Sequence, residues 1–169
     1  MNKFCQLAVK FRAADAKLVK AQDVTVRDWV PLKCQYGCGG YGKSLTCPPH
    51  SPTPDQFRKV LKGYDWAILL RFEPRQPEYD WSSPHEVVVK LEREAFLSGC
   101  YSAFGVACGP CPYCDECNLR DCVHPDLARP SMEACGIDVY ATVRRAGFNL
   151  NVVKNRDEKP TYFALLLIQ

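Results

Sequence analysis

Five cysteines fall within fifteen residues in the stretch CGPCPYCDECNLRDC, at positions 108, 111, 114, 117 and 122. Three more, Cys34, Cys38 and Cys47, lie in KCQYGCGGYGKSLTCPPH. Thiolates bind zinc and iron, and without a metal they do redox chemistry. Cysteines three apart on a tight loop can aim several thiolates at neighbouring corners of one small cube, and a more distant cysteine closes the remaining corner. On that reasoning Cys111, Cys114 and Cys117 are candidate ligands of a [4Fe–4S] cluster, with Cys122 as the fourth.

Zinc is the main alternative. A zinc ribbon separates its two Cys-x-x-Cys knuckles by about a dozen residues or more, whereas here the pairs abut, which suits a cluster better than one tetrahedral ion. Redox thiols without metal are a further alternative. Cys34, Cys38 and Cys47 form a second candidate set. Glycines 37, 39, 40 and 42 let the backbone turn tightly around it. Pro48 after Cys47 matches the Cys-Pro that ends a ferredoxin run. Three thiols do not complete a cube. Cys135, Cys108, Cys5 or His50 could supply the fourth ligand, or one iron could stay open to a small ligand. The alternative to two clusters is that all these cysteines surround a single site.

The segment Gly37–Ser44 also reads Gly-x-x-x-x-Gly-Lys-Ser, a nucleotide phosphate loop. That motif works only with a strand before it and a helix after it, whose N-terminus faces the phosphates. Ser44 is followed by LTCPPHSPTP, whose prolines oppose a helix, and no nucleotide is expected. Cys5 and Cys100, among apolar neighbours, read as core thiols. His85 reads as a first-turn helix residue. His50 and His124 could support the ligands, and Arg129 and Glu133 could hydrogen-bond near a cluster or simply open a helix.

The elements that would position these loops follow an α/β order. Residues 11–20 suggest a short helix and Asp23–Val30 a strand. Ser51 or Thr53 would cap a helix over Asp55–Leu61, and DWAILLRFE reads as a buried strand. Ser83 as N-cap, Pro84 at the first helical position and Gly99 near the stop frame a longer helix. YSAFGVACG is a strand leading into the second cysteine loop. RPSMEACGIDVYATVRRAG reads as one helix, and NLNVV and TYFALLLIQ as a hairpin around KNRDEK. The expected fold is one α/β domain over residues 1–169, a mixed sheet flanked by helices, with metal-binding loops at about 34–50 and 108–125.

With 169 residues, 47% of them hydrophobic and 24% charged, the chain can bury a sizeable core. A net charge of +3, scattered along the chain, gives no footprint for nucleic acid. No secretory signal or membrane span is apparent, and an odd count of eleven cysteines fits a reducing, cytoplasmic location better than a disulfide framework.

Together KCQYGCGGYGKSLTCPPHSPTP, CPYCDECNLRDCVHP and ARPSMEACGIDVYATVRRAG resemble the predicted metal-binding proteins grouped as domain of unknown function 2284. The resemblance runs from about Cys34 to Gly147. It places the family's cysteine pattern on Cys34, Cys38, Cys47, Cys111, Cys114, Cys117 and Cys122, with Cys108 outside it. It implies metal binding, through iron and sulfide, in proteins found mainly in anaerobes, and supplies no reaction. Three functions follow from the ligands. The first is electron transfer in anaerobic metabolism, with two [4Fe–4S] clusters and a redox protein partner. The second is an enzyme using an incompletely ligated cluster as Lewis acid or reductant. The third is a structural or regulatory zinc protein. No acid–base pair or positioned nucleophile marks a catalytic residue.

Overall fold

The computed structural model describes residues 2–73, 82–155 and 157–169. Its centre is a pair of apolar strands, β2 (Trp66–Phe72) and β4 (Tyr162–Ile168), hydrogen-bonded side by side in register from Trp66 against Ile168 to Phe72 against Tyr162. β1 (Asp15–Lys20) lies outside β2, and β3 (Phe104–Val106) lies outside β4. The order is β1-β2-β4-β3, and every pairing is antiparallel. The sheet is therefore not mixed. Its two central strands are apolar on both faces because both faces are covered, which explains runs such as WAILLRF without polar alternation.

Alternation along the strands divides the core in two. Ile68, Leu70, Phe72, Ala164, Leu166 and Ile168 face α1 (Asn2–Lys10) and α4 (Ser82–Leu97), with Phe4, Ala8, Val88 and Leu91 packed on them. Ala67, Leu69, Phe163, Leu165 and Leu167 face the opposite layer, built from Phe57, Met132, Cys135, Ile137 and Val143. This second layer carries α3 (Pro54–Leu61), a 3-10 turn at Glu133–Cys135 and α5 (Val139–Arg145).

Several expected elements form as read. Thr53 caps α3: the Gln56 N–H donates to Thr53 Oγ1 at 3.3 Å and the Thr53 N–H to Gln56 Oε1 at 2.8 Å. β2, β3 and β4 form where expected, and α4 is followed by Gly99 with φ +97°. α4 begins at Ser82, so the expected cap Ser83 sits inside its bounds, and the Ser83 side chain lies outside the described residues.

Others differ. Residues 11–20 are not a helix: the helix is α1, and Asp15–Lys20 is strand β1, because pairing with Arg71 through Trp66 outweighs local helix propensity. Asp23–Val30 makes a single bridge, Val26 to Ile137, and the chain then enters α2 (Val30–Gly37) with Pro31 in its first turn. The single helix expected after the second cysteine loop breaks at Gly136, whose φ of +77° ends the 3-10 turn before Asp138 caps α5. A Cβ on Gly136 would meet Pro54 Cγ at 2.8 Å, so the break also lets this turn press against α3. NLNVV forms no strand and the hairpin is absent among the described residues, which exclude Arg156 in the expected turn. No helix among the described residues is long and apolar enough to cross a membrane.

Candidate metal centre

The first cysteine set is built on a helix end rather than on a loop alone. α2 turns Val30 and Cys34 to one side, and Cys38 follows as its C-cap, with its N–H on the Cys34 carbonyl at 3.2 Å. The Gly40 N–H points at Cys38 Sγ from 3.4 Å, a donor of the kind that stabilises a thiolate. The chain then doubles back through Gly42, φ +72°, whose N–H meets the Pro48 carbonyl at 2.8 Å. Cys47 closes the turn, its N–H on the Ser44 carbonyl at 3.0 Å. Buried Ser51 fastens the loop to the 3-10 turn by donating to the Ala134 carbonyl at 2.7 Å. Gly37–Ser44 thus starts on the last residue of α2 instead of after a strand, and no helix begins at Ser44, so the phosphate-loop framework is not formed.

The second set hangs from the end of β3. The loop from Cys108 to Arg129 is pinched at its base by the Ala107 N–H on the Pro130 carbonyl at 2.8 Å and the Met132 N–H on the Ala107 carbonyl at 3.0 Å. Arg129 then grips Glu92 of α4 with two bonds, Nη2 to Oε1 at 2.7 Å and Nε to Oε2 at 2.8 Å. Glu92 Oε2 also accepts the Gly105 N–H at 2.7 Å. Gly105 is needed there, since a Cβ would stand 2.4 Å from Val88 Cγ1. This ion pair is the anchor of the loop, which resolves the role left open for Arg129.

The two loops face each other. Cys47, Cys111, Cys114, Cys117 and Cys122 all line one cavity of about 460 Å³, with Lys43, Ser44, Thr46, Tyr113 and His124 between them. Cys34 and Cys38 do not line it, yet Cys34 interacts electrostatically with Cys38 and Cys47. Cys47 feels Cys38 on one side and Cys111 and Cys117 on the other. It is the residue shared by the two sets. Burial raises the Cys34, Cys47 and Cys111 thiols above their ordinary value, and neighbouring thiols raise them further. Gathering these thiolates is unfavourable unless a cation joins them, so the donor set fits a metal centre. Among the described residues, no three His, Cys, Asp or Glu side chains are drawn together as tightly as one ion would require. None of the eleven cysteines is in a disulfide.

A family model for predicted metal-binding proteins, DUF2284, matches residues 17–168. The chain belongs to this family. No curated protein and no solved structure matches it.

In this DUF2284 protein the other sequence candidates fall elsewhere. Cys5 and Cys100 pack against the α1–α4 face of the sheet, and Cys108 is buried within it. Cys135 is fully buried on the opposite face, where desolvation raises its thiol strongly. His50 is exposed beside Cys47. His85 is more than a first-turn residue. It is fully buried, and burial lowers its imidazole to about 4 even though the Cys108 and Pro110 carbonyls favour the cation. These carbonyls lie near the ring, but neither ring nitrogen meets one at full hydrogen-bond geometry. Its ring meets Tyr113 edge-on with centroids 6.0 Å apart, and Tyr113 in turn lies 6.0 Å from His124. A histidine beside the apolar run Val87–Val89 was the sequence signal for that burial.

Proposed function

We propose that this protein is an iron–sulfur electron carrier with two [4Fe–4S] clusters, one held by Cys111, Cys114, Cys117 and Cys122 and the other based on Cys34, Cys38 and Cys47. The carrying observation is Cys47, which touches both thiol sets electrostatically and lines the cavity between the loops. Adjacent clusters there would pass electrons without moving any part of the fold. Five thiols line one cavity, more than the four ligands one zinc ion takes, which supports polynuclear centres over a single zinc. The bound clusters would supply one-electron chemistry; the chain's own part is to hold thiolates, aim donors such as the Gly40 N–H at sulfur, and restrict water.

The reading includes a redox protein partner and a reducing cytoplasmic location, which eleven thiols without a disulfide support. Trp29, Leu32 and Tyr36 are exposed on the side of α2 turned away from Cys34 and offer a docking face close to exposed Cys38. The test is iron, zinc and acid-labile sulfide per chain on anaerobic protein, with electron paramagnetic resonance after dithionite reduction. About eight irons with matching sulfide are expected. Cys114→Ser should remove one spectroscopic species and leave the other. Zinc without sulfide would replace this reading with a metal-stapled structural domain, and loss of all signal in Cys114→Ser would leave a single shared site.

A further inference from the structure

The second cysteine loop is supported along one face of α4. His85, Val88 and Glu92 are spaced i, i+3 and i+7, so they share that face of the helix. Each of them meets the loop or its base. Glu92 takes Arg129, the loop's last residue, and the Gly105 N–H. Val88 lies so close to Gly105 that a Cβ there would stand 2.4 Å from Val88 Cγ1. His85, two turns before Glu92, meets the start of the loop. Its ring lies near the Cys108 and Pro110 carbonyls and edge-on to Tyr113, with centroids 6.0 Å apart. Pro110 and Tyr113 flank Cys111, and all three line the cavity with the other thiols.

We infer that His85 is a positioning residue for the Cys111–Cys122 set: its imidazole bears on Pro110 and Tyr113 and so fixes Cys111 between them, as Arg129 fixes the far end of the loop. The inference rests on the ligand set assigned to this loop above. Stability alone gives no reason for an imidazole at this point. His85 is fully buried and neither ring nitrogen has a partner at full hydrogen-bond geometry, a state that costs free energy. An apolar side chain, like those of its buried neighbours Val87 and Val88, would avoid that cost. It would also lack an N–H to offer the loop carbonyls, and a neutral imidazole carries one. Tyr113 in turn meets His124 at 6.0 Å, so a line of three rings runs from the buried face of α4 to the cavity wall.

The test is chelator-driven metal release from anaerobic, metal-loaded protein, with the Cys34/Cys38/Cys47 set as internal reference. The two sets are told apart by the species that Cys114→Ser removes. His85→Phe keeps a ring and deletes the N–H, whereas His85→Gln keeps an N–H donor. Metal of the Cys111–Cys122 set should leave about tenfold faster in His85→Phe, the worth of one hydrogen bond, and within about threefold of wild type in His85→Gln. Tyr113→Leu leaves α4 intact and reads the same support from the loop side. It should also speed release, and the double variant His85→Phe/Tyr113→Leu should fall short of the product of the two effects. Unchanged release in His85→Phe, equal acceleration of both sets, or His85→Gln releasing as fast as His85→Phe would overturn this inference alone. A Cys114→Ser protein that loses no metal would overturn the ligand set and this inference with it.

Discussion

Replacing Arg129 by alanine should loosen the second cysteine loop without disturbing the first. Arg129 and Glu92 are only 14% and 16% exposed, and their two short bonds join the loop's last residue to α4. Deleting the guanidinium leaves Glu92 with the Gly105 N–H and no cation. Breaking one side of a buried pair costs about 3–5 kcal/mol, and the residual solvent contact here argues for the lower end. At about 1.4 kcal/mol per tenfold, a cost near 3 kcal/mol in holding the loop closed raises the open fraction roughly 100-fold. The assay is chelator-driven metal release from anaerobic protein, followed by absorbance. Metal of the Cys111–Cys122 set should leave about 100-fold faster in Arg129→Ala, while the Cys34/Cys38/Cys47 set, fastened through Ser51, keeps its rate. The double variant Glu92→Leu/Arg129→Met should recover much of the difference, because it removes both charges together. A release rate within threefold of wild type in Arg129→Ala would refute the anchoring role.

Gly136→Ala should destabilise the protein by ~2–4 kcal/mol, since the added Cβ meets Pro54 Cγ at 2.8 Å in a backbone with φ +77°. A midpoint shift of less than 2 °C in thermal unfolding, against roughly 10 °C expected, would show that the turn simply yields. His85 gives a pH dependence of definite sign. Its imidazole is lowered to about 4 in the folded chain against an ordinary 6.5, so between those values the unfolded chain binds a proton that the folded one refuses. The stability it contributes is complete above pH 6.5 and is lost as pH falls toward 4, by up to about 3 kcal/mol. Urea unfolding of wild type and His85→Phe across that range should show a steeper acid loss in wild type; parallel curves would mean that His85 stays protonated in the fold.

What could be read from the sequence was whatever depends on near neighbours. The Thr53 cap with Gln56 three residues on, the apolar runs of β2 and β4, and the spacing of the cysteines all carry their reasons within a few residues. What could not be read depends on distant partners. Residues 15–20 became a strand because β2 offered an edge, and the run after Pro130 broke at Gly136 because Pro54 occupies the space a side chain would need. The same distinction separates the candidate ligands. Spacing grouped Cys111 to Cys122 and set Cys34, Cys38 and Cys47 apart, since a short loop has limited reach. It could not say that Cys47 would face Cys111 and Cys117 across a cavity, because that depends on β3 delivering one loop beside the other. Nor could it place Cys135, which lies in the same run read as one helix. The 3-10 turn sends its thiol into the core beside Met132 and Ile137, so it is enclosed there and does not line the cavity that the two loops share.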